Sequence, residues 1–237
     1  MKTNNLSLFF LYLAIFVLGL CGTTLFADDD KVVIAEFASD RMKNDVPADW
    51  ELKKHKGTPV VRLEKAGDKF CLHMISDSES SFGIRKEFKI NVEEYPFLNW
   101  RWKAVKLPVG GDVRKTDTDD QAIQLYVAFT AIGWPKKLNT PVVGYIWDNE
   151  APRELMIASS QPLCGKIRYV VVRNKEDKPG EWYTEKRNLY EDYKKLFEDI
   201  EEDKLPVTTT GIQLSINSQH TGSEGESYIC DVYFSKD

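Results

Sequence analysis

Asn99, Arg101 and Lys103 alternate with Leu98, Trp100, Trp102 and Ala104, and Gln124 and Tyr126 alternate with Ile123, Leu125, Val127 and Phe129. Amides and phenols hydrogen-bond sugar hydroxyls, and a guanidinium grips a carboxylate through two parallel bonds. If the two stretches share one sheet, these five polar side chains form a single outer face suited to a sugar polymer, acidic sugars included. Arg101, Gln124 and Tyr126 are also the types a polysaccharide lyase uses to neutralise a uronate and move its protons. An ordinary solvated sheet face shows the same alternation. Three readings stay open: a non-catalytic binder of carbohydrate or a cell-envelope polymer, a lyase or hydrolase acting on an acidic glycan, and an envelope scaffold that binds another protein.

Asp119 and Asp120 precede the Gln124 strand, and Asp148 follows Trp147. Carboxylate oxygens suit Ca²⁺, and paired carboxylates divide acid and base work across a glycosidic bond. Neighbours on an extended chain point to opposite faces, so Asp119 and Asp120 do not form a catalytic pair with one another. Asp120 and Asp148 are candidate ligand contacts, and Tyr145 and Trp147 beside them are candidate stacking platforms, as are Trp50, Trp134 and Trp182. Glu36 in the first strand and Asp231 in the last are candidate ligands of a structural calcium, because those strands often neighbour one another in jelly rolls. His55, His73 and His220 follow no zinc spacing. The sequence contains no Ser-His-Asp order, nucleophile elbow or phosphate-binding glycine loop, and so no recognisable catalytic motif.

The elements that must position these groups are short strands. Period-two or β-branched runs cover residues 32–37, 60–64, 69–75, 82–90, 98–104, 121–129, 142–147, 154–158, 167–173, 212–217 and 228–234, with Gly67-Asp68 marking a hairpin. One segment reads as a helix: Leu189, Tyr193, Leu196, Phe197 and Ile200 fall at helical spacing behind a capping-box-like Asn188 and Glu191. Many strands, one late helix and no βαβ rhythm predict an all-β fold, an antiparallel β-sandwich of jelly-roll type.

Lys2, the apolar run from Leu8 to Leu20 and the Ala27/Asp28 junction read as a signal peptide over 1–27, leaving 28–237 as a single domain. Leu18-Gly19-Leu20-Cys21 is a poorer match to a lipobox, with Leu where Gly or Ala is wanted, so lipidation at Cys21 is the less favoured fate. An exported chain, periplasmic or secreted, with no membrane span after cleavage is expected. About 210 residues then remain, enough for one substantial core. Lys+Arg 32 against Asp+Glu 37 gives a net charge of −5, interspersed along the chain, which argues against nucleic acid as a partner. Cys71, Cys164 and Cys230 allow at most one disulfide in an oxidising compartment, with the pairing open and Cys230 expected as a buried small hydrophobe.

Pro96-x-Leu98-x-Trp100-Arg101-Trp102-Lys103, Leu107-Pro108-x-Gly110-Gly111-Asp112, Asp119-Asp120-Gln121-Ala122 and Tyr145-x-Trp147 form an ordered set with Trp182-x-x-Glu185-x-Arg187-Asn188, Asp192-Tyr193 and Thr221-Gly222. This set resembles the DUF3047 family of exported bacterial proteins. The resemblance spans most of the chain after residue 27. It implies an exported β-sandwich similar in outline to carbohydrate-binding jelly rolls, and it brings no established activity with it. Asn217 and Gln219 stand where the family pattern has acidic residues before the Thr-Gly, which removes the basis for a metal or acid role in that loop.

Overall fold

A computed structural model describes residues 30–38, 42–43 and 46–237. The expected signal peptide over 1–27, with Cys21, lies outside the described residues. In chain order the strands are β1 (Lys31–Ala35), β2 (Met42–Lys43), β3 (Val46–Pro47), β4 (Glu51–Lys56) and β5 (Val60–Ala66). They continue as β6 (Lys69–Ser76), β7 (Ser81–Glu87), β8 (Phe97–Lys106), β9 (Ile123–Phe129) and β10 (Val142–Trp147). The last five are β11 (Met156–Ala158), β12 (Ile167–Arg173), β13 (Tyr183–Asn188), β14 (Thr209–Asn217) and β15 (Gly225–Ser235). A single turn of helix, α1 (Lys136–Asn139), the longer α2 (Leu189–Leu196) and two short 3-10 turns at Thr116–Thr118 and Glu202–Lys204 complete the described set. None of the described helices is long and apolar enough to cross a membrane.

Two sheets face each other. The first runs β13-β8-β15-β6-β5, with β1 also paired to β15, and the second runs β11-β12-β10-β9-β14-β7-β4. This is the expected β-sandwich with one departure: β10 and β12 are parallel, so the second sheet is mixed. The first and last strands do pair, Val33 opposite Tyr233.

The alternation read from the sequence sets which side chains enter the core. Trp100 and Trp102 point inward from the first sheet and meet Tyr145 and Trp147 from the second, with ring centroids 5.0 Å and 5.8 Å apart. All four are at most 1% exposed. Burying such rings contributes about 2–3 kcal/mol each, which ties the two layers together at their centre. β12 is apolar on both faces: Val170 and Val172 enter the main core, while Tyr169 and Val171 join Val113, Ile146 and Ala151 in a smaller cluster on the outside of the second sheet. A strand buried on both sides has no need to alternate.

α2 closes one end of the sandwich. Asn188 caps it by accepting the Glu191 N–H at 3.0 Å, and Tyr193 stacks on Phe129 with centroids 3.8 Å apart. Cys71 and Cys230, on the adjacent strands β6 and β15, form a disulfide and Cys164 is free. Cys230 is thus buried as expected, but as half of a cross-link.

Candidate functional site: the outer face of the second sheet

β8 and β9 are consecutive in the chain and lie in different sheets. The single polar face expected of Asn99, Arg101, Lys103, Gln124 and Tyr126 therefore does not exist. The first three look out from one sheet and the last two from the other, with the core between them. The 16 residues between the strands (107–122) carry the chain across the sandwich, and β8 pairs with β13 and β15 instead.

On the first sheet the cations are already engaged. The Arg101 guanidinium lies 4.4 Å from the centre of the Trp182 ring, and the Lys103 ammonium lies 4.2 Å from that of Tyr228. Tyr228 stacks on His73 at 4.0 Å, and the two His73 ring nitrogens sit 2.8 Å and 2.9 Å from Glu64 and Glu226. Asn99 is buried and donates to Ser235 Oγ at 3.0 Å. Lys103, Tyr228, His73 and Arg62 thus form one row across four strands, with Trp182 stacked over Arg101 and Lys103 just before β13 and the charges spent on rings and on each other.

The second sheet presents a different surface. In register, Tyr169, Gly144, Tyr126, Gln213, Arg85 and Glu51 form one row from β12 to β4. The next row is Val171, Ile146, Gln124, Ser215, Gly83 and Lys53. Small residues interrupt both rows. A side chain at Gly144 would stand 2.7 Å from Tyr169 Cδ1, and one at Gly83 would stand 2.4 Å from the Leu214 carbonyl oxygen. Those two glycines make room for their neighbours; beside them Gly211, Ala128 and Ser215, with little or no side chain, floor a cleft of about 1010 Å³ that spans the sheet from β12 to β4. Five inter-strand steps of about 4.8 Å make it roughly 24 Å wide, room for several sugar rings.

One wall of the cleft is a strap formed by the loop after β11. Gln161 reaches back to donate to Asp119 Oδ2 at 3.1 Å and to the Thr116 carbonyl at 3.0 Å, and Thr116 Oγ1 donates to the Ser160 carbonyl at 2.9 Å. Beneath it Tyr126 and Tyr169 pack with ring centroids 6.1 Å apart, and burial pushes both hydroxyls above the ordinary tyrosine range. The β9, β14 and β7 side remains open.

A buried amide network forms the end of the cleft. Asn217 Oδ1 accepts from the Gln121 backbone N–H and from Gln124 Nε2, both at 2.9 Å. Asn217 Nδ2 donates to the Asp119 carbonyl at 2.7 Å, and Gln124 Nε2 also donates to Gln121 Oε1. Gln121 Nε2 in turn donates to Asp119 Oδ1 at 3.0 Å and to Asp148 Oδ2 at 3.3 Å. Burial raises the Asp119 carboxyl above the usual carboxylate range, against the opposing hydrogen bonds from Gln121 and Gln161. It raises Asp148 likewise, against the N–H groups of Ala151 and Val113.

Of the residues expected to touch a ligand, Gln124 and Tyr126 line this cleft. Tyr145, Trp147, Asp120 and Asp148 do not reach solvent, each being 0% exposed. Tyr145 donates to Asp192 at 2.9 Å beneath α2, and Trp147 Nε1 donates to the Asn174 carbonyl at 3.1 Å. Asp148 accepts from Val113 and Ala151 and so pins two loops, and Asp120 accepts the His220 and Thr221 N–H groups. Inward parity on β10 accounts for the two aromatic rings; turn solvation within buried loops accounts for the two carboxylates. Trp50 is buried, and Trp134 is 88% exposed on its loop.

At Glu36 and Asp231, the expected calcium ligands, a cation of the chain itself is already present. Lys69 Nζ donates to Asp231 Oδ1 at 2.8 Å and feels the charge of Glu36, so the Asp231 carboxylate is neutralised by an ammonium. Among the described residues, no group of three His, Cys, Asp or Glu side chains could hold a metal ion.

Arg85, Gln213, Ser215, Asn217, Gln219 and His220 line the cleft and were not among the expected contacts. The alternation of Gln213, Ser215 and Asn217 with Ile212, Leu214 and Ile216 marks a half-buried strand in the sequence, but its neighbour in the sheet is β9, about 80 residues away. Two carboxylates line the cleft, Glu87 and Asp119. Glu87 pairs with Gly211, while Asp119 sits beside Asn217, six residues further along β14, which puts them about 20 Å apart. Glycosidase pairs stand at about 5–9.5 Å. The cleft is therefore not built for paired-carboxylate hydrolysis.

The chain belongs to the family described as protein of unknown function DUF3047, whose pattern matches residues 48–233. Curated protein sequences include no match. Among solved structures the fold is similar to the family 11 carbohydrate-binding module of the cellulosomal cellulase Lic26A-Cel5E of Clostridium thermocellum. That likeness has 7% identity and a TM-score of 0.43, over 86% of this chain and 93% of that one. It is also similar to TmCBM61 in complex with β-1,4-galactotriose, at 10% identity and a TM-score of 0.35, over 79% of this chain and 88% of that one.

Proposed function

We propose that this protein is an exported, non-catalytic glycan-binding β-sandwich that takes a cell-envelope or environmental polysaccharide in the cleft on its second sheet. The observation that carries this reading is the cleft itself: a wide trough floored by glycine, alanine and serine and lined by amide side chains. Amides supply the paired donors and acceptors that sugar hydroxyls need, and small floor residues let rings approach the backbone. The Cys71–Cys230 disulfide supports export, since such a bond persists in oxidising compartments. A lyase is less well supported, because Arg101 lies on the opposite sheet from Gln124 and Tyr126.

Screening the purified protein on a glycan microarray tests the proposal, with Ala128→Trp as the comparison because an indole at that position fills the trough. Retention on at least one polysaccharide, lost in the variant at unchanged melting temperature, is the expected result. Retention of no glycan at all by the wild type would remove the proposal.

A further inference from the structure

The direction of the hydrogen bonds in the cleft restricts the kind of glycan it can hold. A backbone N–H can only donate, so the bond from Gln121 N fixes Asn217 Oδ1 as an acceptor. Gln124 must then turn its NH₂ toward Asn217, which it does at 2.9 Å, and the same NH₂ also serves Gln121 Oε1. Asn217 Nδ2 facing a carbonyl at 2.7 Å and Gln121 Nε2 facing two carboxylates fix the same polarity from independent ends. The group left over on Gln124 is its carbonyl oxygen. Gln213 donates its NH₂ to Ser215 Oγ at 2.8 Å and likewise leaves its carbonyl. Two amide oxygens in one cleft await donors.

The charges do not offset this. Arg85 and Lys89 among the lining residues are matched by Glu87 and Asp119, and the Arg85 guanidinium already donates to Glu87 at 2.9 Å. A neutral sugar brings hydroxyl donors to those oxygens. A uronate brings carboxylates, which only accept and would lose their water against other acceptors.

Resting on the glycan-binding reading above, we infer that the cleft selects neutral, hydroxyl-donating glycan chains and discriminates against uronate polymers, with Gln124 and Gln213 as the specificity-determining residues. Native affinity electrophoresis of the full protein against neutral mixed-linkage β-glucan, xylan and galactan, and against polygalacturonate and alginate, decides it. Retardation by a neutral polymer at least tenfold stronger than by either uronate polymer is expected, and Gln213→Ala should weaken it about tenfold. Equal or stronger retardation by the uronates overturns the selectivity while leaving glycan binding in place. Retardation by none of the five overturns both.

Discussion

Tyr126 and Tyr169 close over Gly144 from the two strands beside it, their ring centroids 6.1 Å apart and their nearest atoms 3.1 Å and 2.7 Å from where a Cβ at Gly144 would stand. Gly144 is therefore a packing requirement rather than a turn device. Gly144→Ala should push both rings outward, into the cleft, at a cost of about 1–3 kcal/mol. Urea unfolding measures the first effect and glycan titration the second. A variant as stable as wild type with unchanged affinity would mean that this wall does not shape the site.

The Cys71–Cys230 disulfide closes a loop of 159 residues, joining the central β15 to β6. Chain-entropy arithmetic for so long a loop gives about 5 kcal/mol at most, and measured effects fall in a range of about 2–5 kcal/mol. The Cys71→Ser/Cys230→Ser double variant should lower the unfolding free energy by that amount in denaturant titrations. Reductant should then have no further effect on it. Wild type that unfolds identically with and without reductant would show that the bond contributes nothing.

Asp112 gives the acid limb of the stability curve. The Arg114 guanidinium beside it, with further help from Lys115, holds its carboxyl down to about 2, against the opposing effect of burial. A carboxyl whose folded pKa lies below its unfolded value stabilises the fold above about pH 4, and that contribution is lost as pH falls from 4 through 2. Since Arg114 and Lys115 are solvent-exposed, the contribution at neutral pH is about 1–2 kcal/mol, below what the full shift would give. Asp112→Asn should lose it at pH 7 and flatten the fall in melting temperature between pH 4 and pH 2. An unchanged acid slope would contradict this assignment.

How far the sequence could be read depended on whether a property is local. Which face of β8 holds Trp100 and Trp102 follows from alternation alone, as does the helix behind Asn188. Which sheet β8 joins does not follow. Alternation is the same whether Leu98–Ala104 pairs with the next strand or with β13 and β15, and nothing in residues 107–122 declares that they cross the core. One wrong adjacency therefore placed Arg101 beside Tyr126, and it hid Gln213, which stands directly opposite Tyr126 in β14. Asp148 and Tyr145 misled for a related reason. Polar atoms needed to pin buried loops and anchor a helix look, in sequence, like atoms offered to a ligand.

The account stands or falls on which sheet holds the ligand, and the decisive measurement is isothermal titration of a retained neutral glycan into wild type, Gln213→Ala and Arg101→Ala. Gln213→Ala should lose about tenfold in affinity, the worth of one amide-carbonyl hydrogen bond of about 1.4 kcal/mol, while Arg101→Ala binds as wild type does. Loss of binding in Arg101→Ala with Gln213→Ala unaffected would place the ligand on the other side of the sandwich and contradict the account.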